Sequence, residues 1–287
     1  MRLRPATELC AFPLAGLTSN MINLLPVVFV SLVLLDSHCL AMNLRLRKSS
    51  LRDLDAIARV VAASSYQEPA NAWKYPDRDR YPDDAYKCLR VDYLKYIRND
   101  EQRWHCMVTE KVEQNDKDAT IIAVALWEVS AIPELAHEKP HSSSFRPDQA
   151  VLSGTEQAVD ESCTRRDAAP RRLQAWKDTL PPYRKANMTS KWGPNLHLQY
   201  VGTQPEFQRH GAATVLLKWG IATAQEHNLW IGLFGSPMGS LFYKHLGFEV
   251  VGDVKVQAEG EEEYVVVTAM GLPPSKADEA AERLDKL

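Results

Sequence analysis

The chain has 287 residues, a net charge of -3 and 45% hydrophobic residues. A quarter of the residues are charged, which excludes a membrane-embedded or a disordered protein. The near-neutral balance argues against nucleic acid as a partner, since that leaves a basic footprint.

Residues 1–41 stand apart. Arg2 and Arg4 precede a polar stretch and the apolar run Leu24 to Leu35. As a secretory signal the segment has a basic start, an apolar centre and a small-residue exit at Cys39-Leu40-Ala41. As a membrane anchor it is too short, because a span takes about 20 apolar residues, and Asn23 and Pro26 interrupt it. As an upstream extension or a mistaken start, it precedes a domain that opens at Met42. These readings stay open. The expected setting is cytoplasmic, or a secretory route if residues 1–41 act as a signal, with no stable membrane insertion. Five cysteines, at 10, 39, 88, 106 and 163, show no CxxC spacing. They read as reduced thiols rather than a disulfide framework or a zinc site.

Leu44 to Arg47 alternates and predicts a strand. Ser50 caps a helix carrying Leu51, Leu54, Ile57, Ala58 and Val61 at helical spacing. Tyr66 to Asp79 reads as a loop rich in Pro, Asp and aromatic residues. Pro82, with Asp83 and Asp84, opens a helix that runs to about Asn99. Two strands follow, Trp104 to Glu110 and Ile121 to Val129. The second is continuously apolar, as in a sheet covered on both faces.

From about 131 to 193 the pattern dissolves into six prolines, a Ser142-Ser143-Ser144 run and paired arginines. A loop this long is unusual inside a compact domain. It reads as a flexible insertion that is either disordered or partly helical around Arg171 to Lys177. Order returns with the alternating strand Leu196 to Val201 and a helix from Gly211 to about His227. A buried strand follows at Leu229 to Phe234, then a short helix from Gly239 that stops at Gly247. Strands at Phe248–Val251 and Tyr264–Met270 precede a charged tail, residues 273–287, for which a helix is one reading.

The informative stretch is Gln208-Arg209-His210-Gly211-Ala212-Ala213-Thr214, between a strand and a helix. Amides at a helix start are unpaired and carry the positive end of the helix dipole. Small residues let a phosphate approach them, and Thr214 adds a hydroxyl. No Gly-Lys-Ser/Thr and no GxGxxG is present there, so it is neither a nucleotide P-loop nor a dinucleotide loop.

This stretch resembles the pyrophosphate motif Gln/Arg-x-x-Gly-x-Gly/Ala of the GNAT acetyltransferase superfamily, with Gln208, Gly211 and Ala213 at its fixed positions. Downstream, Phe242-Tyr243-Lys244-His245-Leu246-Gly247-Phe248 is similar to the family's aromatic-Tyr-x-x-x-Gly-Phe signature. The resemblance is clearest over Leu196 to Asp253 and extends by element order to about Leu44–Leu272. It implies an α/β fold with a mixed sheet of six to seven strands flanked by helices. It also implies acetyl-CoA as co-substrate, with an amine of a small molecule or peptide as acceptor.

By that resemblance pyrophosphate rests on the amides of Gln208 to Ala213; the Arg209 and His210 side chains either add charge there or point to solvent while their amides bind. Pantetheine pairs with backbone near Tyr200, Val201 and Thr203. Tyr243 stands at the family's position for the acid that protonates the departing thiolate. A phenol keeps its proton at neutral pH. His197 lies where the aralkylamine branch carries the first histidine of a proton relay, but Gln199 takes the place of the second. Two-residue alternation points His197 the same way as Gln199 and Val201. Glu128 is the other candidate base. An asparagine that often contacts pantetheine in that family is replaced within Gly235 to Ser240, where Ser236 or Ser240 is the substitute.

No HExxH, serine elbow or cysteine–histidine pairing is present in the sequence, so no metal is expected. Two functions stay open: an active N-acetyltransferase, and an acetyl-CoA-binding module of the same fold with weak or no catalysis. The expected organisation is a leader, 1–41, then one catalytic domain, 42–272, interrupted by the insertion, then the tail. Without these additions roughly 170 residues remain, the compass of one α/β domain. The sequence leaves the oligomeric state open.

Overall fold

The apolar periodicities predicted above become packed elements in the computed structural model. It describes residues 42–98, 103–113, 118–129 and 162–286. The leader, residues 1–41, and residues 131–161 of the expected insertion lie outside the described residues. Seven strands are β1 (Leu44–Lys48), β2 (Trp104–Val112), β3 (Ala119–Val129), β4 (Asn195–Thr203), β5 (Trp230–Gly235), β6 (Glu249–Gln257) and β7 (Tyr264–Leu272). The helices are α1 (Leu54–Ser65), α2 (Pro69–Lys74), α3 (Pro82–Arg98), α4 (Pro170–Arg184), α5 (Ser190–Trp192), α6 (Ala212–Glu226), α7 (Ser240–His245) and α8 (Ala277–Asp285).

Among the described residues the strands form one sheet in the order β1-β2-β3-β4-β5-β7-β6. Only β4 and β5 run parallel; the other pairs are antiparallel. β3 is covered on both faces, as its apolar run predicts. Ala123, Ala125 and Trp127 pack with Leu216, Leu217 and Ile221 of α6. Val124 and Leu126 pack with Ile57 and Val61 of α1 and with Leu94 of α3.

Four expectations are corrected. The stretch Tyr66–Asp79 is not all loop, because Pro69 starts α2, where its missing N–H costs nothing. The tail is not merely charged: Ala277, Ala280 and Leu284 of α8 are buried in the cluster that holds α6. Of the two readings of the insertion, the partly helical one describes 162–193, and it reaches further than expected. The expected helix around Arg171–Lys177 runs through the whole of α4 and into a π-helical turn, Lys185–Thr189. Leu180 and Met188 there are buried against Val254, Val256 and Val267 of the outer strands. Pro181 and Pro182 lie inside α4 and cannot donate to its ladder.

The fourth correction concerns the thiols. Cys88 of α3 and Cys163 form a disulfide with Cα atoms 5.2 Å apart. Parity and CxxC spacing sense only local patterns, and this pair is 75 residues apart in sequence. Asp84, one turn earlier on α3, binds the Arg166 guanidinium at 2.6 Å and its backbone N–H at 2.9 Å. Clasp and ion pair together fix the segment that leads into α4. Cys106 is free and buried, and burial pushes its thiol up to about 12. A 75-residue loop closed by a disulfide is stabilised by about 4 kcal/mol through restriction of the unfolded chain. Cys163→Ser is therefore expected to lose stability of that order in urea unfolding. Identical unfolding midpoints with and without dithiothreitol would exclude the clasp.

Candidate active site

The site begins with a disagreement between neighbouring strands. β4 pairs with β5 only over Asn195–Leu198, opposite Trp230–Leu233. Beyond this point β4 continues to Thr203 beside β3, and β5 continues to Gly235 beside β7. The facing edges of Gln199–Thr203 and Phe234–Gly235 therefore lose each other as ladder partners. Open α/β sheets bind ligands at such a switch point, outside the carboxyl ends of the strands.

A bulge shapes the β4 edge. Leu126 is opposite Tyr200 and Trp127 opposite Leu198, so Gln199 is the extra residue. The bulge breaks the two-residue alternation. Leu198 and Val201 pack on the α6 side, while Tyr200 packs with the α1 and α3 residues. The expectation that His197 and Val201 face the same way fails for this reason. At Gly202 the backbone passes close under α1, and an added Cβ would collide with the Tyr200 hydroxyl and Ser64. Those two hydroxyls are hydrogen-bonded to each other.

The predicted phosphate loop follows β4. Gly211 caps α6 with φ of 82°, and Arg209 has φ of 64°, both left-handed. No side chain caps the helix, so the amides of its first turn stay available. Left-handed residues in such a turn aim successive N–H groups into a concavity that suits anions. Ala212 is buried against the core and Gly211 is exposed, so small residues are used on both sides of the turn. His210 Nδ1 contacts the Gln208 carbonyl at 2.8 Å.

Between α1–α3, the open edges and the loop lies a cleft of about 1610 Å³. Tyr243 and every expected co-substrate contact except His210 line it. Tyr243 is 8% exposed. Its ring is wedged between Phe242 and Phe248, each 5.5 Å away between centroids. Burial first, and then the negative Glu68, push its phenol well above the usual value, so it holds its proton firmly.

Glu68 is the residue that sequence reasoning missed. It precedes Pro69 at the start of α2 and lines the cleft. Its Oε2 is buried and has no hydrogen-bond partner among the described residues. A buried unpaired carboxylate oxygen is costly, and such costs cluster at functional sites. The usable signal was Pro69. Read as a first-turn residue, it starts a helix there and sets Glu68 at the cap.

The two expected bases lie elsewhere. Glu128 is 2% exposed and does not line the cleft. Arg103 Nε donates to it at 2.7 Å, Arg184 Nη1 at 2.5 Å, and Gln199 Nε2 donates as well. Burial would raise this carboxyl, but Arg184 and Arg103 outweigh it and hold it below the usual carboxylate range. Clamped in that way, it joins α4 to β3 and β4 and is a poor proton acceptor. His197 is 1% exposed and packs edge-on to Phe234 at 5.7 Å. Burial, and then the positive Arg184, push its imidazole well below the usual range. It stays neutral, with Nδ1 unpartnered among the described residues, and it too is absent from the cleft wall.

Among the described residues no group of three or more His, Cys, Asp or Glu side chains is placed to hold a metal ion. No helix among them is long and apolar enough to cross a membrane.

No family model matches the chain. It is similar to an acetyltransferase of Stachybotrys chartarum, 23% identical over 217 residues, which span 75% of this chain and 85% of that protein. Among solved structures it is similar to the Drosophila melanogaster polyamine N-acetyltransferase that forms N-acetylagmatine. There the identity is 11% and the TM-score 0.49, over 80% of this chain and 100% of that one. It is likewise similar to a putative arylalkylamine N-acetyltransferase 7 of the yellow fever mosquito. That match has 14% identity and a TM-score of 0.49, over 80% of this chain and 87% of that one. The Gln208–Ala213 loop and the Tyr243 helix thus carry the stretches that resemble the GNAT superfamily, in a chain that is similar to a curated acetyltransferase.

Proposed function

We propose that the protein transfers the acetyl group of acetyl-CoA to a primary amine of a small molecule or peptide, by direct attack in a ternary complex. The observation that carries this reading is the continuity of one cleft. It runs from the free amides of α6, past the unpaired β4 edge, to Tyr243 and Glu68. The first-turn amides and Thr214 suit pyrophosphate, because no side chain competes for them. The open edge near Tyr200, Val201 and Thr203 suits the amide groups of pantetheine, which would pair as a strand does. Ser236 borders the same cleft but already accepts from the Gly239 N–H at 3.0 Å.

Acetyl-CoA supplies an activated thioester. The chain supplies position and two proton sites. A protonated amine has no lone pair for attack, so Glu68 takes the proton as the amine adds to the carbonyl carbon. The C–S bond then breaks, and the Tyr243 hydroxyl gives its proton to the leaving sulfur. The nitrogen sheds its second proton to the phenolate left behind, directly or through solvent, and Glu68 releases the first to solvent, so that one proton is set free and the cycle closes. In this scheme Glu68 replaces His197 and Glu128 as base. Those two hold β3, β4 and α4 in register around the cleft.

Residues 42–286 form the catalytic domain in this reading, with α4 and α8 as parts of it. The Cys88–Cys163 bond favours the secretory route over the cytoplasmic setting, since disulfides persist in oxidising compartments. Purified protein is expected to bind acetyl-CoA in calorimetry and to release free thiol when amines are supplied. Thiol release that no amine accelerates would leave only the binding-module reading. Absence of acetyl-CoA binding would remove both.

A further inference from the structure

α2 presents two charged groups to the cleft, one from each end. Glu68 stands at its start and Lys74 is its last residue. At 1.5 Å per helical residue their backbones are separated by about 9 Å. Lys74 is half-buried. Its ammonium lies 4.3 Å from the Trp176 ring centre and 5.5 Å from that of Tyr75. Among the described residues no carboxylate pairs with it. Besides Glu68, the acids that line the cleft are Asp83, Asp92 and Asp167, and the last two are engaged elsewhere. Asp167 is taken by Arg165 through two hydrogen bonds of 2.9 Å. Asp92 interacts with Lys95, Arg165 and Lys177. Arg165 itself stacks on Tyr75 at 4.1 Å.

Lys74 is therefore a cation without a counter-charge, held between two rings. Burial, and then the positive Arg165, push its ammonium down to about 8; a carboxylate in contact would act in the opposite sense. An enclosed charge left unpaired costs free energy, and an anion brought by a ligand would recover that cost.

We infer that the acceptor is an amine bearing an anionic group, such as a carboxylate, several bonds from its nitrogen, and that Lys74 receives this group while Glu68 receives the amine. The inference rests on the acetyl-transfer reading and names its acceptor class. Trp176 and Tyr75 flank the anion site and exclude water from it. Acceptors with a second cation in place of the anion would meet Lys74 and Arg165 and be repelled.

The test is calorimetry at neutral pH on the full chain saturated with coenzyme A. The probes are 4-aminobutanoate, 6-aminohexanoate and phenylalanine, each beside its own primary amide. A charged hydrogen bond predicts that at least one carboxylate binds about tenfold tighter than its amide. Lys74→Arg should keep that preference, and Lys74→Met should reduce it to about twofold or less. The inference is overturned if no wild-type pair differs by more than about twofold, absence of binding included. It is also overturned if the preference survives in Lys74→Met. An equal fall in coenzyme A affinity in that variant would assign Lys74 to a phosphate of the co-substrate and overturn it too. Thiol release with the same compounds reads the transfer separately. A binding preference without release defeats the acetyl-transfer reading and leaves the anion site standing; release without a preference defeats the anion site alone.

Discussion

Tyr243→Phe is expected to lower kcat by about 10²- to 10³-fold, the usual range for loss of a positioned acid. The change removes one oxygen and keeps the ring that packs between Phe242 and Phe248, so the helix should stay in place. Without the hydroxyl, the sulfur must leave as a thiolate or find a proton in water. The raised phenol pKa sets the sign of the pH effect. An acid whose pKa lies well above 10 is protonated throughout the neutral and mildly alkaline range. The wild-type rate should therefore show no falling limb from Tyr243 below about pH 10. Initial rates of thiol release under saturating acetyl-CoA check both points. A variant that keeps more than about a tenth of kcat would remove Tyr243 from the reaction.

Glu68→Gln should lower kcat/KM by about 10²-fold or more at neutral pH, because the amide matches the carboxylate in shape but takes no proton. The deficit should shrink as pH rises toward the acceptor's own pKa, near 10 for an alkylamine. There the amine arrives neutral and needs no base. A second readout does not depend on turnover. Glu68 contributes to the raised pKa of Tyr243, so removal of its charge should lower the phenol's titration point in ultraviolet difference spectra. Burial, the larger cause, remains. Full activity at neutral pH with an unmoved phenol titration would sink the assignment.

Much of the sheet was legible, because β1, β3, β4 and β5 bury one or two faces and show it as alternation or as apolar runs. The turn from β4 into α6 was legible for a different reason: its small residues precede a helix start, and the structure leaves that helix without a side-chain cap. Features set by distant pairing were not. Gln199 bulges because of how β3 lies beside it, which no run of β4 residues reveals. Arg184 neutralises Glu128 from 56 positions away, so the acid looked like a free base candidate in sequence. Cys88 and Cys163 meet only after α3 and the approach to α4 come together. Glu68 stood in a stretch whose Pro and Asp content suggested loop, and α2 has only 6 residues, too few for a clear period. A helix was among the readings of the tail, but its charged face hid the packing of α8, whose three buried residues fall on one side.

The parting of β4 and β5 has a consequence for the reaction cycle. A sheet with an unzipped seam is an incomplete object, and in the acetyl-transfer reading proposed above the pantetheine arm would mend it like a borrowed thread. The arm is unaltered by acetyl transfer, so the spent carrier fits the seam as well as the loaded one did. Each turnover must therefore unpick a stitch that the chemistry has done nothing to loosen, and the step after catalysis inherits the strength of the step before it.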